Sequence, residues 1–322
     1  MADDQLRARS EHVSTGRGGI TPERYQHVLL FATALLAGIV LTGAAVRLTG
    51  SGLGCEDWPT CSEDRLVPAI GFHPWIEFGN RLLTGVVSFG VGAAVLFAYR
   101  RTPRRRDLIL WAWGLVAGVV GQIVLGGATV LVDLHPLFVS GHYLLSIVLL
   151  WNAIVLLDRN RSEPGPARPL VDAGTVTISR IAVWWSVVVL MVGTLVTGTG
   201  PHSGDPEVDR LSFDLGSIVR LHSLAAWVCV ALVITLVLRL QSSGPPEISK
   251  LASLSLGALI AQGAVGYLQY FTGVPAALVE LHVLGSVVVF SALLWTHLSL
   301  FTHTTDTIDL TDLDASRQSA VR

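Results

Sequence analysis

The chain has 322 residues, of which 51% are hydrophobic and only 14% charged, with a formal net charge of −2. A soluble globular protein carries about 25% charged residues, so this composition excludes a water-soluble domain, a disordered chain and a nucleic-acid binder. Three cysteines cannot build a disulfide framework. An integral membrane protein is the class that remains.

A bilayer core asks for about 20 apolar residues per helix, and eight stretches meet that length. They are 28–48, 75–99, 108–131, 136–157, 178–199, 215–238, 251–271 and 276–300. The first is not expected to be a cleaved leader, because it begins well inside the chain and ends in Arg47-Leu48-Thr49 rather than at a small-residue cleavage site. Every run is continuous rather than alternating, and a helix satisfies its own backbone inside lipid. The expected fold is therefore an all-α integral membrane protein with eight transmembrane helices.

Loop charge sets the orientation, since Lys and Arg accumulate on the cytoplasmic side. One side holds Arg7, Arg9, Arg17 and Arg24, then Arg100, Arg101, Arg104, Arg105 and Arg106. The same side holds Arg159, Arg161, Arg168, Arg180, Arg239 and Lys250, with Arg317 and Arg322 in the tail. The opposite side has only Arg47, Arg65 and Arg210. Both termini are expected in the cytoplasm of a cell with this protein in its plasma membrane, with loops 49–74 and 200–214 facing outward.

A loop with Pro164, Pro166 and Pro169 divides the helices four and four. The expected organisation is a cytoplasmic segment 1–27, a four-helix half 28–158, a cytoplasmic linker 159–177, a four-helix half 178–300 and an acidic tail 301–322. The halves look like copies. HYLLS from His142 answers HVLGS from His282, and Gln122 with Gly126 answers Gln262 with Gly266, in both cases 140 positions on. Thr42-Gly43 at the end of the first helix answers Thr197-Gly198 at the end of the fifth. Matches of this kind suggest two pseudo-repeated four-helix bundles.

Polar residues inside a membrane are costly and mark function. Here they are Glu77, Asn80, Arg81, His142, Arg220, His222, Glu280 and His282, with Gln122 and Gln262. The three histidines lie six to eight residues inside the outer ends of their helices, about 10 Å down at 1.5 Å per residue. Matched imidazoles on facing helices of a bundle suit axial ligation of haem iron. His222 and His282 form such a pair in the second half. His142 corresponds to His282, while the place of His222 is taken by Asn80, a poor iron ligand. The same histidines can also be read as interhelical hydrogen-bonding residues or as a proton relay, and no closed tetrahedral cluster favours zinc.

Glu77 has two readings. Arg81 at i+4 can hold it in a structural ion pair, or the carboxylate can face the incomplete haem site. Glu280 lies nearer its helix start and reads as a rim residue. Arg47, Arg81 and Arg220 suit haem propionates, or snorkel to headgroups. Cys55 and Cys61 lie in the outward loop GSGLGCEDWPTC, where an oxidising environment allows a small-loop disulfide. Cys229, inside a helix, reads as packing. His135 precedes Pro136 at a helix start, His73 could face the Glu77 cavity or the interface, and His12, His27, His297 and His303 read as surface or interfacial. A transporter would place its site at the bilayer midplane between broken helices, whereas these residues lie in the outer third.

VRLTGSGLGCEDWPTC, WIEFGNRLLTG, HPLFVSGHYLLS, TGTGPHSGD, RLHS and ELHVLGS, in that order, resemble the haem A synthase family over residues 28–300, most closely its actinobacterial branch. The resemblance implies an oxidoreductase in which haem b sits in the C-terminal half on His222 and His282. It implies that substrate haem O binds the N-terminal half through His142, with Glu77 as the catalytic residue. The implied reaction oxidises the C8 methyl of haem O to the formyl group of haem A through two hydroxylations. The family often writes the second-helix motif Glu-x-x-His-Arg, where this chain has Glu77-Phe78-Gly79-Asn80-Arg81. Several members carry a second cysteine pair in the third outward loop, which 200–214 lacks. Implied partners are haem O, membrane lipid, the enzyme supplying haem O and cytochrome c oxidase assembly factors. The competing expectation is an electron-transfer cytochrome with two permanent b haems.

Overall fold

The computed structural model of the chain describes residues 19–55, 58–62, 67–68, 70–204 and 207–303. Residues 1–18 and the tail from 304, with Arg7, Arg9, His12, Arg17, Arg65, Arg317 and Arg322 of the readings above, lie outside the described residues.

Eight helices follow one another: α1 (Pro22–Leu48), α2 (Phe72–Arg100), α3 (Arg106–Leu131), α4 (Pro136–Arg161), α5 (Ala173–Thr199), α6 (Leu215–Ser243), α7 (Pro246–Phe271) and α8 (Ala276–Leu298). All eight are long and apolar enough to cross a membrane. Large apolar side chains such as Phe89 (75% exposed) and Leu110 (71%) cover the outside, as lipid permits and water would not. The fold is the expected all-α one.

Most helices run past the apolar stretches that announce them, and at α1 and α5 a capping side chain marks the earlier start. Thr21 accepts the Arg24 N–H at the start of α1, with Pro22 in the first turn. Asp172 accepts from Thr175 N–H before α5, and Asp214 from Ser217 N–H before α6. Hydrogen bonds from Thr175 and Ser217 hold these two carboxyls below the usual carboxylate range. The last helix departs the other way. It stops at Leu298 rather than 300, and the chain turns through Ser299 into strand β2 (Phe301–His303). That strand pairs antiparallel with β1 (Ala167–Pro169), so the linker and the start of the tail are joined, which no alternating pattern announced.

Helices α1 to α4 close a ring in which α4 returns to α1, and α5 to α8 close another in which α8 returns to α5. The rings meet along α1 with α8, α4 with α5, and α4 with α8. Exchanging α1 for α5, α2 for α6, α3 for α7 and α4 for α8 leaves this set of main neighbours unchanged. Tyr143 and Ser286 hydroxyls, 2.7 Å apart, join α4 to α8 across the seam.

The buried apolar core fills only one end of each ring. Leu29, Val91, Leu115 and Leu156 are among the core residues of the first, and Val233, Leu240, Leu259 and Leu293 among those of the second. Val40, Ile147, Ile154, Val287 and Phe290 help to seal the seam. Toward the end that carries residues 49–71, burial stops. No residue is buried at 78–86 of α2, 120–126 of α3, 137–146 of α4, 219–224 of α6, 260–271 of α7 or 280–286 of α8. Asn80, Gln122, His142, His222, Gln262 and His282 all lie in this loosely packed band. Side chains in protein interiors normally pack as densely as organic crystals, so a band of this kind is shaped for something besides the chain itself.

Candidate functional site

In the second ring α6 and α8 bring His222 and His282 together edge-on, with ring centroids 6.3 Å apart and planes at 70°. An imidazole nitrogen binds a metal at about 2 Å. Two such bonds, with the distance from each ring centre to its nitrogen, span roughly 6 Å, which is the separation found. The first ring offers His142 on α4 with no imidazole at the matching place on α2.

The three rings share an unmet polar atom among the described residues. Nδ1 of His142, His222 and His282 is buried without a hydrogen bond; the Val189 carbonyl lies near His222 but makes no bond of normal geometry. Buried polar atoms are nearly always satisfied, so unmet imidazoles beside an unpacked band are the donor set and slot that a haem fits. Neutral imidazole suits iron.

Glycines back each histidine. A methyl group at Gly126 would lie 3.1 Å from His142 Cε1, one at Gly193 3.1 Å from His222 Cε1, and one at Gly266 3.0 Å from His282 Cε1. Each ring therefore stands against bare helix backbone, fixed from behind. Gln122 Nε2 donates to the His142 carbonyl at 3.1 Å and to Ser146 Oγ at 2.7 Å. Gln262 Nε2 donates to the His282 carbonyl at 2.8 Å. Gly126 and Gly266 stood out in the sequence as repeat matches, but their role behind the imidazoles did not. Gly193 was missed, since nothing in α5 alone marks it as the neighbour of a histidine on α6.

Glu77, 5% exposed, sits on the first turns of α2. Arg81 donates to its Oε1 from Nη2 at 2.5 Å and from Nε at 3.1 Å, so the ion pair is formed. The Cys55 backbone N–H donates to Oε2 at 2.8 Å, and Arg81 Nη1 donates to the Thr60 carbonyl at 2.9 Å. Cys55 and Cys61 are joined by a disulfide. The outer loop is thereby folded onto the start of α2. Ser51 Oγ meets His73 Nδ1 at 2.9 Å, so His73 is tied to the loop. Trp58 lies over α3, where a methyl group at Gly127 would come within 2.7 Å of its ring. On α2, Asn80 Oδ1 accepts from Thr42 Oγ1 of α1 at 2.8 Å.

The remaining residues separate. Arg47 at the end of α1 donates to the His202 carbonyl and lies in electrostatic range of Glu280, while His202 Nε2 meets the Val274 carbonyl at 2.9 Å. Glu280 Oε2 is buried without a hydrogen bond among the described residues. Arg220 bonds only within its own first turn, to Ser217 Oγ at 3.2 Å, among the described residues. Cys229 packs in the core of the second ring. His135 caps α4 by accepting from Leu137 N–H. His297, expected at the surface, is half-buried and meets Ser179 Oγ across α5 and α8 at 3.0 Å.

These features define a multi-pass all-α membrane protein with imidazoles turned into an unpacked interior band. Residues 26–71 and 69–202 match the family model for COX15-CtaA, the cytochrome oxidase assembly proteins. The chain belongs to this family. It is similar to the haem A synthases of Geobacillus thermodenitrificans (32% identical over 146 residues, 42% of this chain and 44% of that relative) and Lysinibacillus sphaericus (31% over 174 residues, 53% and 55%). A third, from Geobacillus kaustophilus, is 36% identical over 106 residues, 32% of each chain. The matched region spans about half, or less, of the length of these relatives.

Proposed function

We propose that this chain makes haem A, oxidising the C8 methyl of haem O to a formyl group in two successive hydroxylations. The observation that carries the reading is the asymmetry of the histidines: one half pairs His222 with His282, and the other offers His142 alone, with a buried acid, Glu77, on another helix of the same ring. The names of the related haem A synthases support the reaction class. In this reading the halves are a duplicated four-helix unit, the outer loops face away from the cytoplasm, and the protein lies in the plasma membrane with both termini inside.

His222 and His282 hold haem b in the C-terminal half, backed by Gly193 and Gly266; when bound, it supplies one-electron redox chemistry. His142, backed by Gly126, holds the iron of substrate haem O. A single protein ligand lets a substrate enter and product leave, where two would retain it. Arg47 suits the propionate end of a haem, because it lies at the seam between the halves.

Each hydroxylation takes its oxygen from water: one C–H bond of the methyl and one O–H bond of water break, a C–O bond forms, two electrons pass to an external acceptor and two protons leave. The second gives a geminal diol, which loses water to leave the formyl group. Glu77 is the residue for one of these protons. Arg81 fills both lone pairs of Oε1, so Oε2, which accepts from the Cys55 N–H, is the oxygen that takes the proton. A fixed negative charge also stabilises positive charge developing on the methyl carbon. The loop that carries Cys55 and Trp58 excludes bulk water from this end of the first ring.

The test is a product assay. Membranes containing the protein and haem O should accumulate hydroxymethyl haem and then haem A, identified by mass. Glu77→Gln should abolish both products while haem remains bound; haem A formed at the wild-type rate would remove the carboxylate from the reaction.

A further inference from the structure

Three of the four equivalent backing positions in the two rings hold an imidazole, and the fourth does not. Thr42-Gly43 corresponds to Thr197-Gly198, so Gly38 on α1 is the counterpart of Gly193 on α5. A methyl group at Gly193 would meet His222 at 3.1 Å, whereas one at Gly38 would meet nothing within 4 Å. The notch that receives an imidazole in the second ring is therefore open in the first.

Asn80 holds the place of His222, and its side chain is engaged one helical turn from that notch. Thr42 Oγ1 donates to Asn80 Oδ1 at 2.8 Å. Its Nδ2 makes no hydrogen bond among the described residues and is not enclosed, since it is absent from the buried unsatisfied atoms. The result is an unpaired donor on a stretch of α2, 78–86, that carries no buried residue. An amide nitrogen carries no basic lone pair for iron, but it has two N–H donors.

We infer that Asn80, positioned by Thr42, donates a hydrogen bond to a small external ligand, a water or small anion, on the open face of the iron that His142 holds. This inference rests on the proposed binding of haem in the N-terminal half. It makes Asn80 a ligand-stabilising residue in place of an iron ligand. The Gly38 notch is the room that the small ligand and its entry require. In the second ring the same room is filled by His222, and no such ligand can enter.

The experiment uses the purified full-length protein with ferric haem bound, titrated with azide and followed by optical and EPR spectra. The wild type should show one high-spin haem that binds azide beside one low-spin haem that does not. Asn80→Leu should keep its haem content and bind azide about tenfold more weakly, the size of one hydrogen bond to a charged ligand. Thr42→Val, which frees the amide without removing it, should weaken azide binding by a smaller factor. Asn80→His should turn the high-spin haem low-spin and azide-resistant. Unchanged azide affinity in Asn80→Leu, with haem content intact, would overturn the inference and leave the proposed reaction standing. A wild type in which both haems are low-spin and refuse azide would overturn it too. If His142→Ala retains as much haem as the wild type, no haem rests on His142, and both this inference and the proposed function fail.

Discussion

The two rings share a neighbour pattern and differ at the band that their cores leave open. In the second, His222 and His282 meet edge-on at 6.3 Å, each standing against a glycine. In the first, His142 stands alone against Gly126, the notch at Gly38 is open, and Asn80 is tied to Thr42. The first ring has in addition an outer loop stapled by Cys55–Cys61 and bonded to a buried Glu77. A scaffold that grips on two sides retains its ligand. One that grips on one side, with an acid beside it, can exchange a ligand and act upon it.

The largest effect is expected at the two acids, one in each ring. Glu77→Gln should lower haem A formation by at least about a hundredfold, the scale of a lost charge stabilising a transition state, with both haems retained. Glu280→Gln should leave the rate within a few-fold of wild type, measured in the same product assay. Equal losses would mean that the acids serve packing alone.

The glycines give the next contrast. Gly193→Val and Gly266→Val place a bulky side chain where even a methyl group would crowd the imidazoles at 3.1 and 3.0 Å. Haem occupancy of the C-terminal half should fall several-fold in absorbance per chain, because overpacking of this kind costs about 1–3 kcal/mol. Gly38→Ala, facing open space, should leave occupancy unchanged. A smaller and one-sided effect is expected from Cys55→Ser with Cys61→Ser. Loosening the loop removes the fixed Cys55 N–H from Glu77, so haem A formation should fall about three- to tenfold while the low-spin haem spectrum stays the same.

The smallest contrast concerns acid. Asp172 and Asp214, which cap α5 and α6, have folded pKa values below the unfolded value of about 3.9. Their stabilisation is complete above that unfolded value and is lost as the pH falls through the folded one. The first turns of α5 and α6 should therefore lose hydrogen-exchange protection on going from pH 6 to pH 3. The first turn of α1, capped by the neutral Thr21, should keep its protection.

Much of this comparison was legible in the chain. Eight apolar runs announce eight spans because lipid forces every backbone group to bond within its helix. His142, His222 and His282 stand out because polar residues inside a membrane are few. What stayed hidden depends on contacts between distant segments. The Cys55 bond to Glu77 uses a backbone N–H, which carries no side-chain signature. The bond of Thr42 to Asn80 joins two helices through a pair that neither helix marks. Gly193 is one of 32 glycines until α6 sets His222 against it. The β1–β2 pair was invisible because three-residue strands are too short to show alternation. The starts of α1 and α5 shifted for a local reason, the capping by Thr21 and Asp172 beyond the apolar stretch.

The most direct test is the haem inventory of the purified protein, extracted and identified by mass, for wild type beside His142→Ala and His222→Ala. The account predicts haem b together with haem O or haem A in the wild type. It predicts loss of haem O and A alone from His142→Ala, and loss of haem b from His222→Ala. Two haem b per chain in the wild type, or the same haem lost from both variants, would contradict it.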